Sequence, residues 1–185
     1  MKKILMLLAL VVSLALVLAA AGILYREFSQ DYAPQQLATQ PQETAGNEKA
    51  PDFTVYDAQG NPVNLYDFVG KPLVVNFWAS WCGPCQMEMP DFQDKYLELG
   101  EDVRFLMINM TDGSRETVKI ASDFIAEKGY TFPVYYDTDY DAAVTYGASS
   151  LPTTYFIDAD GYAVARATGA IDAATLQRGI DMITK

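Results

Sequence analysis

Polar and apolar positions divide this chain into three stretches. Residues 4–24 carry no charge and are dominated by Leu, Val and Ala. Residues 25–50 are rich in Gln, Ala, Thr, Glu and Pro and show no apolar period. From residue 51 onward, short strand-like runs alternate with segments whose apolar positions recur every three or four residues. Such alternation is the mark of a domain that interleaves strands and helices.

Within that domain, residues 53–56 and 63–65 flank "DAQGN" and predict a hairpin. "PLVVNFWA", residues 72–79, is nearly all apolar, as a central strand is when both of its faces are covered. A helix is expected from the cysteines at 82 and 85 to about Leu99, with Met89, Phe92, Tyr96 and Leu99 on one side and a kink at Pro90. Residues 103–109 predict a second central strand. Residues 117–128 predict a helix that buries Val118, Ala121, Phe124 and Ile125 and stops at Gly129. Residues 131–136 form a short strand that Pro133 should keep out of the middle of a sheet. A small helix over 140–146 should end at Gly147. Strands at 153–158 and 162–167 are joined too tightly for a parallel crossover and should pair antiparallel. Asp172 can cap a last helix that runs to about Ile183. The sum is an α/β architecture: a mixed sheet with helices on both faces and an antiparallel edge.

The first stretch sets the compartment. As a helix, residues 4–24 would be about 31 Å long, which matches a hydrocarbon core of about 30 Å. Lys2 and Lys3 should stay on the cytoplasmic side, so the rest of the chain crosses. A signal peptide cut near Ala19-Ala20-Ala21 is the competing reading, and it sends the domain to the same side. The expected division is an anchor over 1–24, a flexible tether over 25–50 and a folded domain over 51–185, on the extracytoplasmic side of the cell membrane. The domain should be secreted or periplasmic if the anchor is cut.

Charge narrows the partners. The chain carries −11, and because charges cancel over residues 1–50, the whole excess belongs to the domain. An acidic domain repels nucleic acid and gains nothing from an anionic lipid surface. With no histidine, imidazole catalysis and histidine metal ligation are excluded. No metal site and no cofactor are implied, since a structural zinc needs four ligands and the chain has two cysteines.

Those cysteines are the candidate chemistry. In "WASWCGPCQMEMP", residues 78–90, they stand three apart where a buried strand gives way to a helix. Cys82, at the helix start, gains from unpaired N–H groups and the helix dipole, which favour a thiolate. Its sulfur should be open to solvent, with Cys85 more buried behind it. Cys82 then attacks a disulfide and Cys85 resolves the mixed disulfide. Gly83 and Pro84 suit a tight helix start, and Trp81 should wall the attacking sulfur. A purely structural disulfide is the alternative, but a loop this short constrains the unfolded chain little.

"VVNFWASWCGPCQMEMP" resembles the active-site region of thioredoxin-like proteins, and within them the membrane-tethered TlpA/ResA group of thiol–disulfide oxidoreductases. The resemblance covers about residues 50–183, from "APDFTVYDAQGNPVNL" to beyond "LPTTYFIDADG". It implies a thioredoxin-like fold with an N-terminal hairpin and a helical insert over 115–128. It also implies a cis Pro152 against the cysteines, with Leu151 and Thr153 completing a substrate groove of the strand-augmentation kind. Glu88 matches a glutamate of that group and, partly buried, would have a raised pKa and relay a proton for Cys85. Asn76 stands where cytoplasmic thioredoxins carry a buried aspartate, a role an amide cannot fill.

The activity so implied is reduction of disulfides in exported proteins, apocytochrome c among them, with a membrane electron-transfer protein as reductant and a monomeric enzyme. A thiol oxidase or isomerase, or a redox-inactive tethered adaptor, are the other readings. A peroxidase would call for Thr or Ser at position 79, where this chain has Ala79.

Overall fold

In the computed structural model the described residues are Met6, Ala38–Thr39 and 49–185. The chain divides into units Met1–Pro34 and Gln35–Lys185, and the description below concerns the second. The expected anchor over 4–24, Met6 apart, and most of the expected tether lie outside the described residues. Among the described residues, no helix is long and apolar enough to cross a membrane.

Eight described strands form one sheet: β1 (Ala38–Thr39), β2 (Thr54–Tyr56), β3 (Pro62–Asn64), β4 (Leu73–Trp78), β5 (Arg104–Asn109), β6 (Val134–Tyr136), β7 (Thr153–Ile157) and β8 (Ala163–Thr168). Their order across the sheet is β1-β8-β7-β4-β5-β6-β2-β3. The β4–β5–β6 core is parallel, whereas β7, β8 and the β2–β3 hairpin run antiparallel to their neighbours. The helices are α1 (Gly83–Leu99), α2 (Val118–Lys128), α3 (Asp141–Thr145) and α4 (Ala173–Ile183), with a 3₁₀ turn at Leu65–Asp67. The sheet is the mixed, helix-flanked thioredoxin-like sheet expected from the sequence, with hairpin and insert in place.

Strand alternation builds two cores. On β4, Val74 and Trp78 join one cluster with Met89 and Phe92 of α1, Ala121 of α2, and Leu176 and Ile180 of α4. Leu73, Val75 and Phe77 face the other way, into a cluster with Phe53, Leu65, Tyr146 and Tyr155. The helix ends follow local rules. Thr117 accepts from Ile120 N–H and Asp172 from Thr175 N–H as N-caps, while Gly129 closes α2 at φ +71°. At Gly179 an added methyl carbon would lie 2.2 Å from Phe156 Cζ, so α4 meets the sheet only because a hydrogen stands there.

Two expectations change. Pro133 does not push β6 to an edge, because β6 lies between β5 and β2. Pro133 stands just before the strand and offers its carbonyl to Met107 N–H at 3.3 Å, a bond that needs no proline N–H. α1 runs through Pro90 to Leu99, the end expected from the sequence. Within the stretch expected as a tether, Ala38–Thr39 pairs antiparallel with Arg166 and Ala165.

Candidate active site

Because β4 runs antiparallel to β7, the loop leaving β4 and the loop approaching β7 meet at one edge of the sheet. Phe77 pairs with Thr153, so Cys82 follows one strand and Pro152 precedes the other. The Leu151–Pro152 peptide bond is cis, as the resemblance implies.

Cys82 and Cys85 are joined as a disulfide, with their Cα atoms 5.3 Å apart. Cys82 is not in the first turn of α1 but just outside it, as the N-cap, where its Sγ accepts from Cys85 N–H at 3.2 Å. Its own N–H donates to Ala79 O at 3.1 Å, closing a turn over residues 79–82. The capping geometry draws the sulfur inward. Cys82 is therefore only 5% exposed, against 0% for Cys85. The expected order of exposure holds, but the expected open sulfur is a nearly covered one in this disulfide form. Gly83 and Pro84 are exposed. Trp81 is half-exposed and is more than an apolar wall, since the Arg115 guanidinium lies over its ring, 4.0 Å from the centroid.

On the Pro152 side, the proline carbonyl accepts from Gly169 N–H at 2.7 Å. Leu151 is part-buried. Thr153 does not line an open groove with its side chain. It is fully buried and its hydroxyl donates to Ser150 O at 2.7 Å, because it opens a strand covered on both faces.

Glu88 is more deeply set than expected, at 2% exposure. Its helix position, three residues after Cys85, turns it under α1 toward the sheet. Oε1 accepts from Asn76 Nδ2 at 2.8 Å and Oε2 from Ile171 N–H at 2.9 Å. Burial pushes its carboxyl up to about 7, against the pull of those two hydrogen bonds, with nearby Asp91 adding to the rise. Asn76 also donates to Thr154 Oγ1 at 3.0 Å, while its Oδ1 has no partner. The position that cannot ionise thus orients a neighbour that can.

A second buried acid, Glu116, was not singled out from the sequence. It is fully buried and accepts from Ser80 N–H at 2.8 Å, Ser80 Oγ at 2.6 Å and Asn109 Nδ2 at 2.7 Å. The available signal was Asn109, a polar residue closing the apolar strand "VRFLMIN". On β5 it faces the same side as Asn76 on β4, and each buried asparagine meets a buried glutamate.

A thioredoxin-fold domain with a cysteine pair capping a helix, set beside a cis proline, defines a class of thiol–disulfide exchange proteins. The chain belongs to the AhpC/TSA family, whose pattern residues 47–165 match. It is 33% identical over 172 residues to the thiol-disulfide oxidoreductase ResA of Bacillus thuringiensis, covering 91% of each chain. Among solved structures, a secreted thiol-disulfide isomerase from Corynebacterium glutamicum is 28% identical at TM-score 0.63, over 73% of this chain and 83% of that one. StoA from Bacillus subtilis, 24% identical at TM-score 0.61 over 71% of this chain and 97% of that one, shares the fold. The protein is a ResA-type thiol–disulfide oxidoreductase.

Proposed function

We propose that this protein reduces disulfides in exported proteins on the extracytoplasmic side of a membrane. Residues 1–24 serve as its anchor, residues 25–50 as its tether and residues 51–185 as its catalytic domain. The observation that carries the reading is the cysteine pair at the head of α1, with Cys82 Sγ held against Cys85 N–H and a cis proline at the facing loop.

In the reduced protein, the Cys82 thiolate attacks one sulfur of a client disulfide. The client S–S bond breaks, its second sulfur leaves as a thiolate and takes a proton, and a mixed disulfide joins the client to Cys82. Cys85 then loses its proton and attacks Cys82 Sγ. The client's remaining sulfur leaves as a thiol, and the Cys82–Cys85 disulfide stays behind. Two electrons and two protons have passed to the client. Glu88, titrating near neutral pH, takes the Cys85 proton and hands it to the departing client sulfur, while the first client thiolate takes its proton from solvent. Trp81, Gly83 and Pro84 form one bank of the client site. On the other bank Pro152 has no N–H and its carbonyl is engaged by Gly169, so Leu151 supplies the backbone that a client strand pairs with, above Thr153.

Gly83-Pro84 between the cysteines is the thioredoxin choice and supports the reducing direction, and the resemblance to the TlpA/ResA group supports apocytochrome c as a client. A membrane electron-transfer protein then recharges the pair, and the enzyme acts as a monomer. Thiol oxidation or isomerisation is the second reading, favoured by the isomerase named among the structural relatives. The reduction potential separates the two. A value near the thioredoxin figure of about −270 mV supports reduction, and one above about −150 mV, toward the strong oxidant end, overturns it. Clients are identified by Cys85→Ala, which leaves the mixed disulfide at Cys82 unresolved. Captured exported proteins on non-reducing gels support the reading, and an absence of adducts at Cys82 sinks it.

A further inference from the structure

Glu116 takes no part in the exchange chemistry above, yet it is fully buried beside it. Burying a carboxylate is costly unless its oxygens are bonded, and here both are. Oε1 accepts from Ser80 N–H and Asn109 Nδ2, and Oε2 from Ser80 Oγ. The Asn109 amide turns its Nδ2 to the carboxylate oxygen, which accepts, and its Oδ1 accepts from Thr111 Oγ1 at 2.8 Å. Two of the three donors thus belong to one residue, Ser80, which lies inside the 79–82 turn that delivers Cys82. Ser80 is gripped from its other end as well, since Gln86 Nε2 donates to its carbonyl.

The next residue along repeats the contact. Arg115 sits over the Trp81 ring while Glu116 holds Ser80. Consecutive residues of one segment therefore clasp consecutive residues of another. The two segments can meet because β4 and β5 are parallel, so the chain leaves both strands at the same edge.

We propose that Glu116 is a positioning residue that acts through Ser80 to hold the 79–82 turn, keeping Cys82 Sγ on the first N–H groups of α1 and so setting the reactivity of that thiol. This rests on the reading of Cys82 as the attacking cysteine. In the reduced protein the helix N-terminus favours a thiolate only while the sulfur stays over it. A turn that loosens lets the sulfur swing away from Cys85 N–H, and the thiol becomes harder to ionise.

The test is the pH dependence of Cys82 alkylation by iodoacetamide, followed by mass spectrometry on the reduced full-length protein in detergent. Glu116→Ala should raise the Cys82 midpoint by about one pH unit, roughly a tenfold loss of rate below it. Glu116→Gln keeps an oxygen for Ser80 N–H and can donate to Ser80 Oγ, so it should recover most of that loss. A Glu116→Ala protein that is folded by circular dichroism and alkylates with the wild-type profile overturns the proposal. Should that variant fail to fold, Ser80→Ala removes one clasp bond alone. An upward shift there supports the proposal, and an unchanged profile overturns it. Alkylation needs no client. A wild-type protein with a low Cys82 midpoint that leaves insulin disulfides intact sinks the functional reading without touching this one.

Discussion

Glu88→Gln should flatten a fall in stability that the wild-type protein shows between about pH 4.5 and pH 7. The Glu88 carboxyl is raised from an ordinary 4.5 to about 7, chiefly by burial. Across that window the native state holds a proton that the unfolded state has already lost. The stability tied to the neutral acid is fully present below pH 4.5 and is lost as pH rises through 7. At about 1.4 kcal/mol per pH unit, the gap is worth about 3 kcal/mol. An amide at this position has no proton to lose, and the site can accept it. Asn76 Oδ1 is without a partner, and an amide flip turns it toward the introduced NH₂ group while Thr154 donates in turn. The assay is guanidinium unfolding of the oxidised full-length protein, read by tryptophan fluorescence at steps from pH 4.5 to 8. Carboxylates common to both proteins cancel in the difference. Relative to wild type, Glu88→Gln should gain about 3 kcal/mol from the acid end to the alkaline end. A difference that stays constant across the window would refute the buried-acid argument and, with it, Glu88 as a proton carrier at neutral pH.

Other substitutions probe what positions the site. Gly179→Ala places a methyl against Phe156 and should cost about 1–3 kcal/mol in guanidinium unfolding. Phe156→Leu in the same chain should return part of that loss, and additive losses would count against the close approach of α4 to β7. Asp172→Ala removes the cap on Thr175 N–H and should cost about 1 kcal/mol by the same measurement, with the reduction potential unchanged.

Local rules reached far into this fold. Thr117, Gly129 and Asp172 mark helix ends that depend only on neighbouring residues, and the structure uses all three as caps or stops. The cysteine pair was legible for the same reason, since three-residue spacing at a strand-to-helix junction carries its own geometry. What stayed hidden depends on contacts between distant segments. Glu116, just before the apolar period of α2, reads as a solvated helix-start acid. Its burial against Ser80, 36 residues away, follows from two parallel strands releasing their loops at one edge. Cys82 was expected to be open because attacking thiols must be reachable, but the cap bond to Cys85 N–H turns it inward. Pro133 misled because a missing N–H matters only where the ladder asks for one, and there the strand pairing uses the carbonyl.

The sheet also works as a partition. Both cysteines and Met89 of α1 belong to the cluster on one side. Phe53, Phe77, Tyr146 and Tyr155 interlock on the other, with ring centroids 4.8 to 6.4 Å apart. Reporter fluorophores, isotopic ring labels or repacking libraries placed in that aromatic layer would register global unfolding from the face opposite the sulfurs. An engineer therefore has a handle on robustness set on the face opposite the sulfurs, with Leu151 as the residue that packs against both clusters.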